Sequence, residues 1–271
     1  RNNFLFQNLL GTTFLQLKEY DEAIKHLDIS IKLNPNFAVS FGNKGIAHAE
    51  KKQYQEAINN YDKAINLKKN FFDAYLNKGI ALKNIHKYDD ALKYYYFCIK
   101  VNAGNPKIYS NLGNLLLEQK KFKEALKVYD KGISLHGEFA EDYNNRGETN
   151  QQLGNYKKAI EDYSKALKIN NNLSYIRGKI LYAKMHINEW DNFDLQISQL
   201  IEEIDDKKKT IIPFPLLSLI DDPKMHKDVA EKYSKDNFPF FPNKKQITPK
   251  LKDKINIGYY SADFKDHAVL H

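Results

Sequence analysis

The stretch that decides the fold lies between Phe41 and Asn70 and reads FGNKGIAHAEKKQYQEAINNYDKAINLKKN. Its small residues recur along the chain at intervals of 34 residues. The glycine register contains Gly11, Gly45, Gly79, Gly113 and Gly147. The alanine register contains Ala23, Ala57, Ala91, Ala125 and Ala159. Because only 12 of the 271 residues are glycine, chance does not explain these registers, and the chain contains an internal repeat.

Each repeat, which we call a unit, has the pattern of two antiparallel helices that cross where its glycine and alanine lie. Small side chains at the crossing allow the two helix axes to approach to ~8–10 Å. A tyrosine follows the alanine by four residues, at Tyr61, Tyr95, Tyr129 and Tyr163. We expect these tyrosines to fill the space between one unit and the next. One unit cannot bury its own apolar face, whereas a stack of five can.

The pattern resembles the tetratricopeptide repeat over about Phe4 to Asn172. The resemblance implies an all-α fold in which about five units, in residues 1–172, form a right-handed α-α solenoid, or superhelix, with a concave groove. Cys98 occupies a position that is small in the neighbouring units, where Ala64, Gly132 and Ala166 stand. We therefore predict that Cys98 is a core residue and not a nucleophile.

Four asparagines, which we call the Asn ladder, lie two residues before the glycines of the second to fifth units: Asn43, Asn77, Asn111 and Asn145. We expect this position to face the concave groove. A carboxamide carries a donor and an acceptor side by side, so it can pair with a peptide bond in either chain direction. The Asn ladder is therefore predicted to hold an extended polypeptide by its backbone. The alternative is that asparagine only packs the first helix here, in a chain rich in asparagine throughout.

The repeat register ends after about Leu173, and Leu181 stands where a sixth glycine would fall. Residues 173–209 keep a helical apolar pattern and are predicted to form capping helices. Residues 210–254 are predicted to be a connector, because the prolines of its first part, TIIPFPLLSLIDDP, bar a continuous helix. Within this connector we expect a helical piece at Met225–Ser234 and an extended stretch at Asn237–Pro242.

The last residues, 255–271, read INIGYYSADFKDHAVLH. Their first part, Ile255–Tyr260, is β-branched and aromatic and follows a lysine-rich loop, which predicts a buried strand. The strand leads into a segment that contains Ser261, Asp263 and His267. Polar residues at the carboxyl end of a strand are a common place for chemistry. Asp263 itself is interpreted as a loop or cap residue.

A strand followed by S-A-D-F-x-x-H-x-x-x-H resembles the opening of the catalytic region of the O-linked N-acetylglucosamine transferase family (glycosyltransferase family 41). The NEWDNFD element around Trp190, the PFPLLSLIDDP element and the FP-rich stretch resemble this family's connector. The resemblance implies a GT-B fold of two Rossmann-like lobes, of which residues 255–271 would contain the first strand. It also implies transfer of N-acetylglucosamine from UDP-N-acetylglucosamine (UDP-GlcNAc) to Ser or Thr of acceptor proteins, without a metal or other cofactor.

In that family the first histidine of the motif belongs to the active-site cleft. The resemblance therefore makes His267 the candidate catalytic residue and His271 a weaker candidate. It also supports a peptide-holding role for the Asn ladder, although the first unit departs from the pattern with Leu9, and Ala268 replaces a frequent proline. Without the resemblance, the two histidines could be ordinary ones or a metal-binding pair, but no third ligand is visible.

Two other functions stay open. A branch of the same family transfers fucose from GDP-fucose, and no residue in this chain distinguishes the two donors. The chain could instead be a non-enzymatic tetratricopeptide scaffold or co-chaperone. Co-chaperone units that clamp a carboxylate carry Lys and Arg at the groove positions, whereas this chain has mostly Asn there.

Composition excludes several kinds of partner. The formal net charge is +8, but the lysines lie in short, scattered runs, so we predict no nucleic-acid partner. No apolar run reaches the ~20 residues that span a bilayer, and no signal peptide is recognisable, which predicts a cytoplasmic protein without a membrane partner. One cysteine excludes an internal disulfide or a Cys-clustered zinc site. The remaining histidines are predicted to be structural: His26, His48, His86, His136, His186 and His226.

The chain begins at Arg1 and ends inside the histidine motif, so we interpret it as a fragment of a longer enzyme. Its expected partners are acceptor proteins in the groove and a sugar nucleotide in the part of the catalytic region that this sequence lacks. An isolated strand is not stable. We therefore predict that this polypeptide by itself has no transferase activity.

Overall fold

The computed structural model describes residues 3–136, 139–205 and 209–237, and within these ranges the chain forms fourteen helices and no strand. The helices of the five units are α1 Phe4–Gln16, α2 Tyr20–Leu33, α3 Ala38–Glu50, α4 Tyr54–Leu67, α5 Phe72–Asn84, α6 Tyr88–Val101, α7 Pro106–Glu118, α8 Phe122–His136, α9 Ala140–Gln152 and α10 Tyr156–Ile169. The later helices are α11 Ile176–Met185, α12 Phe193–Asp205, α13 Pro213–Leu219 and α14 Pro223–Asn237. The predicted strand at Ile255–Tyr260 and the extended stretch at Asn237–Pro242, apart from Asn237 itself, lie outside the described residues.

The chain divides into two compact parts, residues 1–230 and 231–271, and of the second part only the end of α14 is described. The helices α1 to α10 pack as five successive pairs, as the 34-residue register predicts, and form an all-helical solenoid. The turn inside each pair places one residue in the left-handed region at the same register position: Lys18, Lys52, His86, Lys120 and Gly154. That residue reverses the chain between the first and second helix of a unit.

Within each unit the glycine of the first helix lies directly against a large side chain of the second helix. A Cβ atom built on Gly45 would lie 2.5 Å from Cε1 of Tyr61, and one on Gly113 would lie 2.5 Å from Cε1 of Tyr129. In the first unit Leu27 takes the place of the tyrosine, 2.6 Å from such a Cβ. The sequence suggested that the tyrosines fill the space between units. The structure shows that they also fill the space inside their own units. The missing glycine side chain is what makes room for the ring.

Burial has a clear electrostatic effect on these tyrosines. The four rings are almost completely removed from solvent: Tyr61, Tyr95, Tyr129 and Tyr163. Burial, with smaller contributions from nearby acidic groups, raises the pKa of each hydroxyl well above its usual value of 10.0. The phenols are therefore neutral hydrogen-bonding groups at any physiological pH.

Ion pairs join the second helix of one unit to the first helix of the next in one repeating register. Lys44 contacts Asp28 at 2.6 Å, Lys78 contacts Asp62 at 2.5 Å, and Arg146 contacts Asp130 at 2.7 Å. Burial lowers the pKa of Lys78, but its hydrogen bonds to Asp62 and Tyr94 outweigh that effect and raise it. At the junction of the third and fourth units the same positions hold Tyr96 and Leu112. This ion-pair register was not predicted.

The inner face of the solenoid is formed by the first helices of the units. Successive first helices contact one another, α1 with α3, α3 with α5, α5 with α7 and α7 with α9, more closely than successive second helices do. A stack that brings one set of helices closer together curves toward that set. The concave side of these units therefore presents α1, α3, α5, α7 and α9.

After the fifth unit, α11 packs on α10 as a sixth first helix would, and then the chain departs from the repeat. Gly178 of α11 lies against Ile211, where a Cβ atom would be 2.6 Å from Cγ1, and its N–H donates to the carbonyl of Thr210 at 3.0 Å. Leu181, at the position of the missing glycine, is buried in a separate apolar core with Leu200. Residues 176–205 thus contain two helices, α11 and α12, where two capping helices were predicted within residues 173–209.

Two prolines of the connector each stand at the first position of a helix. Helix α13 begins at Pro213 and helix α14 begins at Pro223. No continuous helix runs through Thr210–Pro223, as predicted, but residues 213–219 form the short helix α13. The first residues of a helix have no intrahelical acceptor for their N–H groups, so a proline there loses no hydrogen bond.

The contact between glycine and tyrosine predicts a large effect of adding one methyl group. Gly113→Ala would drive a Cβ atom into the Tyr129 ring, and overpacking of this kind costs about 1–3 kcal/mol. Gly104→Ala is the matched control, because the nearest atom to its Cβ would be 3.5 Å away. Urea unfolding should show a clear loss for the first variant and almost none for the second. Equal losses would contradict the packing argument.

Asp142 predicts a pH-dependent stability. Its side chain is buried and accepts a hydrogen bond from Ser110 Oγ at 2.5 Å, and burial raises its pKa above 3.8 despite that bond. A raised pKa means that the folded state loses stability as pH rises through it. Asp142→Asn should therefore be more stable than the wild type at pH 7, with a gain that disappears as pH falls below the raised pKa. Urea unfolding at several pH values measures this, and a pH-independent difference would contradict it.

Candidate functional site

The Asn ladder lies on the inner face, one asparagine on each of α3, α5, α7 and α9. Successive residues of a helix are turned by about 100°, so a side chain two positions before the glycine points away from the second helix of its unit. All four ladder side chains are partly exposed. The geometry that holds the tyrosine against the glycine therefore also aims the asparagine at the groove.

Two ladder side chains, at the ends of the row, already have hydrogen-bond partners in the preceding unit. Asn43 Nδ2 donates to Thr12 Oγ1 and to Asn8 Oδ1, both at 3.1 Å. Asn145 Nδ2 donates to Asn114 Oδ1 at 2.8 Å. These amides therefore help to join one unit to the next.

The two central ladder side chains make no such bond. Asn111 Nδ2 donates to the carbonyl of Lys107, one turn earlier in its own helix, at 2.7 Å. Among the described residues the side chain of Asn77 has no hydrogen bond. The four asparagines share one sequence register but differ in whether their side-chain amides are bonded to the preceding unit. The sequence alone did not predict this difference.

The hydroxyls of two buried tyrosines form hydrogen bonds with polar side chains on the first helix of their own unit. Tyr129 Oη donates to Asn114 Oδ1 at 2.5 Å, and Tyr163 Oη donates to Gln151 Oε1 at 3.1 Å. In the fourth unit, Asn114 is therefore shared between the tyrosine beneath it and the ladder asparagine beside it. The hydroxyl of Tyr95 in the third unit is buried and has no partner among the described residues.

The candidate catalytic residues His267 and His271 lie outside the described residues, so the structure does not place them against the Asn ladder or any other group. Five of the six histidines predicted to be structural each have a hydrogen bond to a nearby residue: His26 with Gln7, His48 with Gln53, His86 with Tyr88, His186 with Tyr182 and His226 with Ile220. The side chain of His136 is not among those described. These contacts agree with a structural role.

Cys98 is fully buried at its small position in the third unit. Burial raises the pKa of its thiol to about 11, so the sulfur is protonated at neutral pH. Within residues 3–136, 139–205 and 209–237 no cluster of His, Cys, Asp and Glu could hold a metal ion. None of the helices in these ranges combines the length and the hydrophobicity that a membrane span needs.

A cavity of about 510 Å³ lies on the third unit between α5 and α6, and it does not coincide with the Asn ladder. Its lining includes Tyr75, Lys78, Tyr94 and Phe97. The Tyr75 and Phe97 rings lie 4.4 Å apart, and Lys78 is already paired with Asp62. The cavity is thus a gap beside the ion-pair register and contains no ladder residue.

Several models of one repeat family match the chain. The model described as Tetratricopeptide repeat matches residues 106–139 and 140–173, a TPR repeat model matches residues 45–85, and a second Tetratricopeptide repeat model matches residues 6–37. Together these matches cover just over half of the chain. No curated protein matches it.

Solved structures share the fold at low sequence identity. YrrB, described as a TPR protein with an unusual peptide-binding site, is 21% identical over 66% of this chain and 90% of its own, with a TM-score of 0.52. MamA from Desulfovibrio magneticus RS-1 is 22% identical over 62% of this chain and 95% of its own, with a TM-score of 0.56. PilF from Pseudomonas aeruginosa is 16% identical over 73% of this chain and 90% of its own, with a TM-score of 0.65.

The hydrogen bonds of the Asn ladder predict unequal contributions to stability. Asn145→Ala removes a bond between units and should lower the free energy of unfolding by about 0.5–1.5 kcal/mol. Asn77→Ala removes no bond and should change it by less than about 0.5 kcal/mol. Urea unfolding of the two variants distinguishes these values. An equal loss in both would favour the alternative that asparagine at this position only packs the first helix.

Proposed function

The chain belongs to the tetratricopeptide repeat family, and from that premise we propose that its inner groove binds extended segments of other polypeptides. The observation that carries this proposal is the row of partly exposed carboxamides on the inner faces of α3, α5, α7 and α9. Each carboxamide offers a donor and an acceptor in the geometry of a peptide bond. The peptide-binding site in the description of YrrB is evidence that a repeat array of this fold can serve such a role.

The expected binding is weak and tolerant of sequence. A net hydrogen bond contributes about 0.5–1.5 kcal/mol, and the gain must offset the ordering of a flexible segment. Bonds to the peptide backbone do not distinguish one side chain from another. A groove with these properties suits the presentation of many different polypeptides to another site, and not the tight capture of one.

A binding assay with ladder variants tests this proposal. A fluorescein-labelled, unstructured peptide rich in Ser, Thr and Val is titrated with the chain, and fluorescence anisotropy follows binding. Changing Asn77, Asn111 and Asn145 together to Ala should weaken binding about tenfold, the effect of losing one to two net hydrogen bonds, while helicity is kept. The matched control is Asn59→Ala with Asn66→Ala, because both residues are exposed on α4, a second helix. Equal affinity of the triple variant and the wild type would overturn the proposal.

We further propose that the groove serves a protein glycosyltransferase of the O-linked N-acetylglucosamine transferase type, with UDP-GlcNAc as the donor. The support is the motif S-A-D-F-x-x-H-x-x-x-H in residues 261–271, together with the connector elements before it. In that enzyme His267 would lie in the active-site cleft, with His271 as a weaker candidate, and the repeats would deliver Ser and Thr side chains to it. A GDP-fucose-using enzyme of the same family is the alternative donor assignment.

A turnover assay tests the enzymatic part. The 271-residue polypeptide, incubated with radiolabelled UDP-GlcNAc and the same Ser- and Thr-rich peptide, is expected to transfer no sugar, because the nucleotide-binding lobe of such an enzyme is not in this sequence. Turnover by this polypeptide would contradict that expectation. A longer chain that starts with these residues should transfer sugar, and loss of transfer on His267→Ala, with peptide binding retained, would support the active-site assignment.

A non-enzymatic scaffold is the second candidate function, since it needs the groove alone. A co-chaperone of the carboxylate-clamp type is less well supported. Its groove would present free cations, whereas the ladder position of this chain is Asn in four units, and Lys179, at the same position after the fifth unit, is already paired with Glu148 at 2.9 Å. A longer chain without transferase activity but with peptide binding would favour the scaffold.

A further inference from the structure

We infer that only the two central residues of the Asn ladder, Asn77 and Asn111, take hold of the bound polypeptide, and that the residue 31 positions before each ladder residue decides this. The inference rests on the proposed peptide-binding function and deepens it. It assigns the binding subsite to the second, third and fourth units. The bound segment is extended, with its backbone against Asn77 and Asn111 and apolar side chains against Ile46 and Ile80.

A polar residue 31 positions earlier forms a hydrogen bond with the ladder side chain in every case where it is present. Asn43 donates to Thr12, and Asn145 donates to Asn114. The relation continues past the fifth unit, where Lys179 stands at the ladder position and donates to Glu148 at 2.9 Å. Three junctions, with three different pairs of residue types, thus make the same contact between successive first helices.

An isoleucine stands 31 positions before each central ladder residue. Ile46 precedes Asn77 and Ile80 precedes Asn111. A hydrocarbon side chain has no acceptor, so neither amide bonds to the preceding unit. Asn77 makes no side-chain hydrogen bond among the described residues, and Asn111 donates only within its own helix.

The difference in hydrogen bonding becomes a difference in affinity. An amide that is already bonded must give up that bond before it can hold a peptide, so the exchange yields little net free energy. Asn77 gains a bond without losing one inside the protein, and Asn111 keeps a second N–H and its acceptor oxygen beside its bond to Lys107. Ile46 and Ile80 are themselves only partly buried, so they add apolar surface beside the open amides. Side chains of an extended segment alternate between its two faces, which allows backbone bonds and apolar contacts at the same time.

The unpartnered hydroxyl of Tyr95 supports the same assignment. In the fourth unit Tyr129 donates to Asn114, whereas the equivalent acceptor position in the third unit holds Ile80. The isoleucine therefore removes an acceptor from both Tyr95 and Asn111. A buried polar group without a partner lowers stability. Ile80 therefore leaves the Tyr95 hydroxyl unpaired among the described residues, at a cost in stability, and leaves Asn111 without a bond to the third unit.

Two variants of one residue test the rule. Ile80→Asn supplies the acceptor that the fourth unit has in Asn114, so it should bond Tyr95 and Asn111 and weaken peptide binding about fivefold to tenfold. Ile80→Val is the matched control, because it keeps the position apolar, and it should change affinity by less than about twofold. Fluorescence anisotropy with the Ser-, Thr- and Val-rich peptide measures both. Unchanged binding by a folded Ile80→Asn variant would overturn the inference.

Nuclear magnetic resonance of the wild-type chain gives a second test that does not depend on a variant's folding. The side-chain NH₂ groups of asparagine are labelled with ¹⁵N, assigned by single Asn→Ala changes, and followed during titration with the same peptide without its label. Shifts at Asn77 and Asn111, with little change at Asn43 and Asn145, support the inference. Equal shifts at all four overturn it and leave the proposed function standing. The absence of any shift together with the absence of binding by anisotropy overturns both.

Discussion

The structure depends on the contact between one glycine and one large side chain inside each unit. The tyrosine ring of the second helix rests on the bare backbone of the first helix, where a single added carbon atom would lie 2.5–2.8 Å from the ring in the four tyrosine-containing units. This contact fixes the distance and the rotation of the two helices. Every other feature of the solenoid is set relative to it, because both helices of each unit are rigid once their crossing is fixed.

The orientation of the candidate site follows from that contact. With the glycine facing the second helix, the residue two positions earlier must face the opposite way, toward the inner surface. The Asn ladder is thus a consequence of helix geometry applied to a repeated packing contact. The same argument explains why the candidate site extends along the stack and is not a single enclosed pocket: each of the second to fifth units contributes one asparagine at one fixed position.

The units differ in the residues beside the ladder asparagines, and these differences bear on the proposed peptide binding. Positions that pack the units are nearly constant, whereas the neighbours of the ladder residues change from Thr12 to Ile46, Ile80 and Asn114. These changes leave the backbone architecture intact and alter only the hydrogen-bonding state of the amides beside them. The ion-pair register between units varies in the same manner, with Tyr96 and Leu112 replacing a charged pair at the junction of the third and fourth units. A repeat fold allows such local differences because each unit contacts only its neighbours.

The sequence by itself determined the repeat, the helix pairs, the buried tyrosines, the core position of Cys98 and the surface on which the asparagines lie. All of these follow from spacing, because helical periodicity and residue size are local properties. Only the tertiary structure decided which ladder amides are already bonded, that Gly178 lies against the Ile211 segment, and that two connector prolines start helices. Those outcomes depend on which side chains from different units meet at about 3 Å, and a hydrogen bond across 31 residues is visible only once the units are stacked.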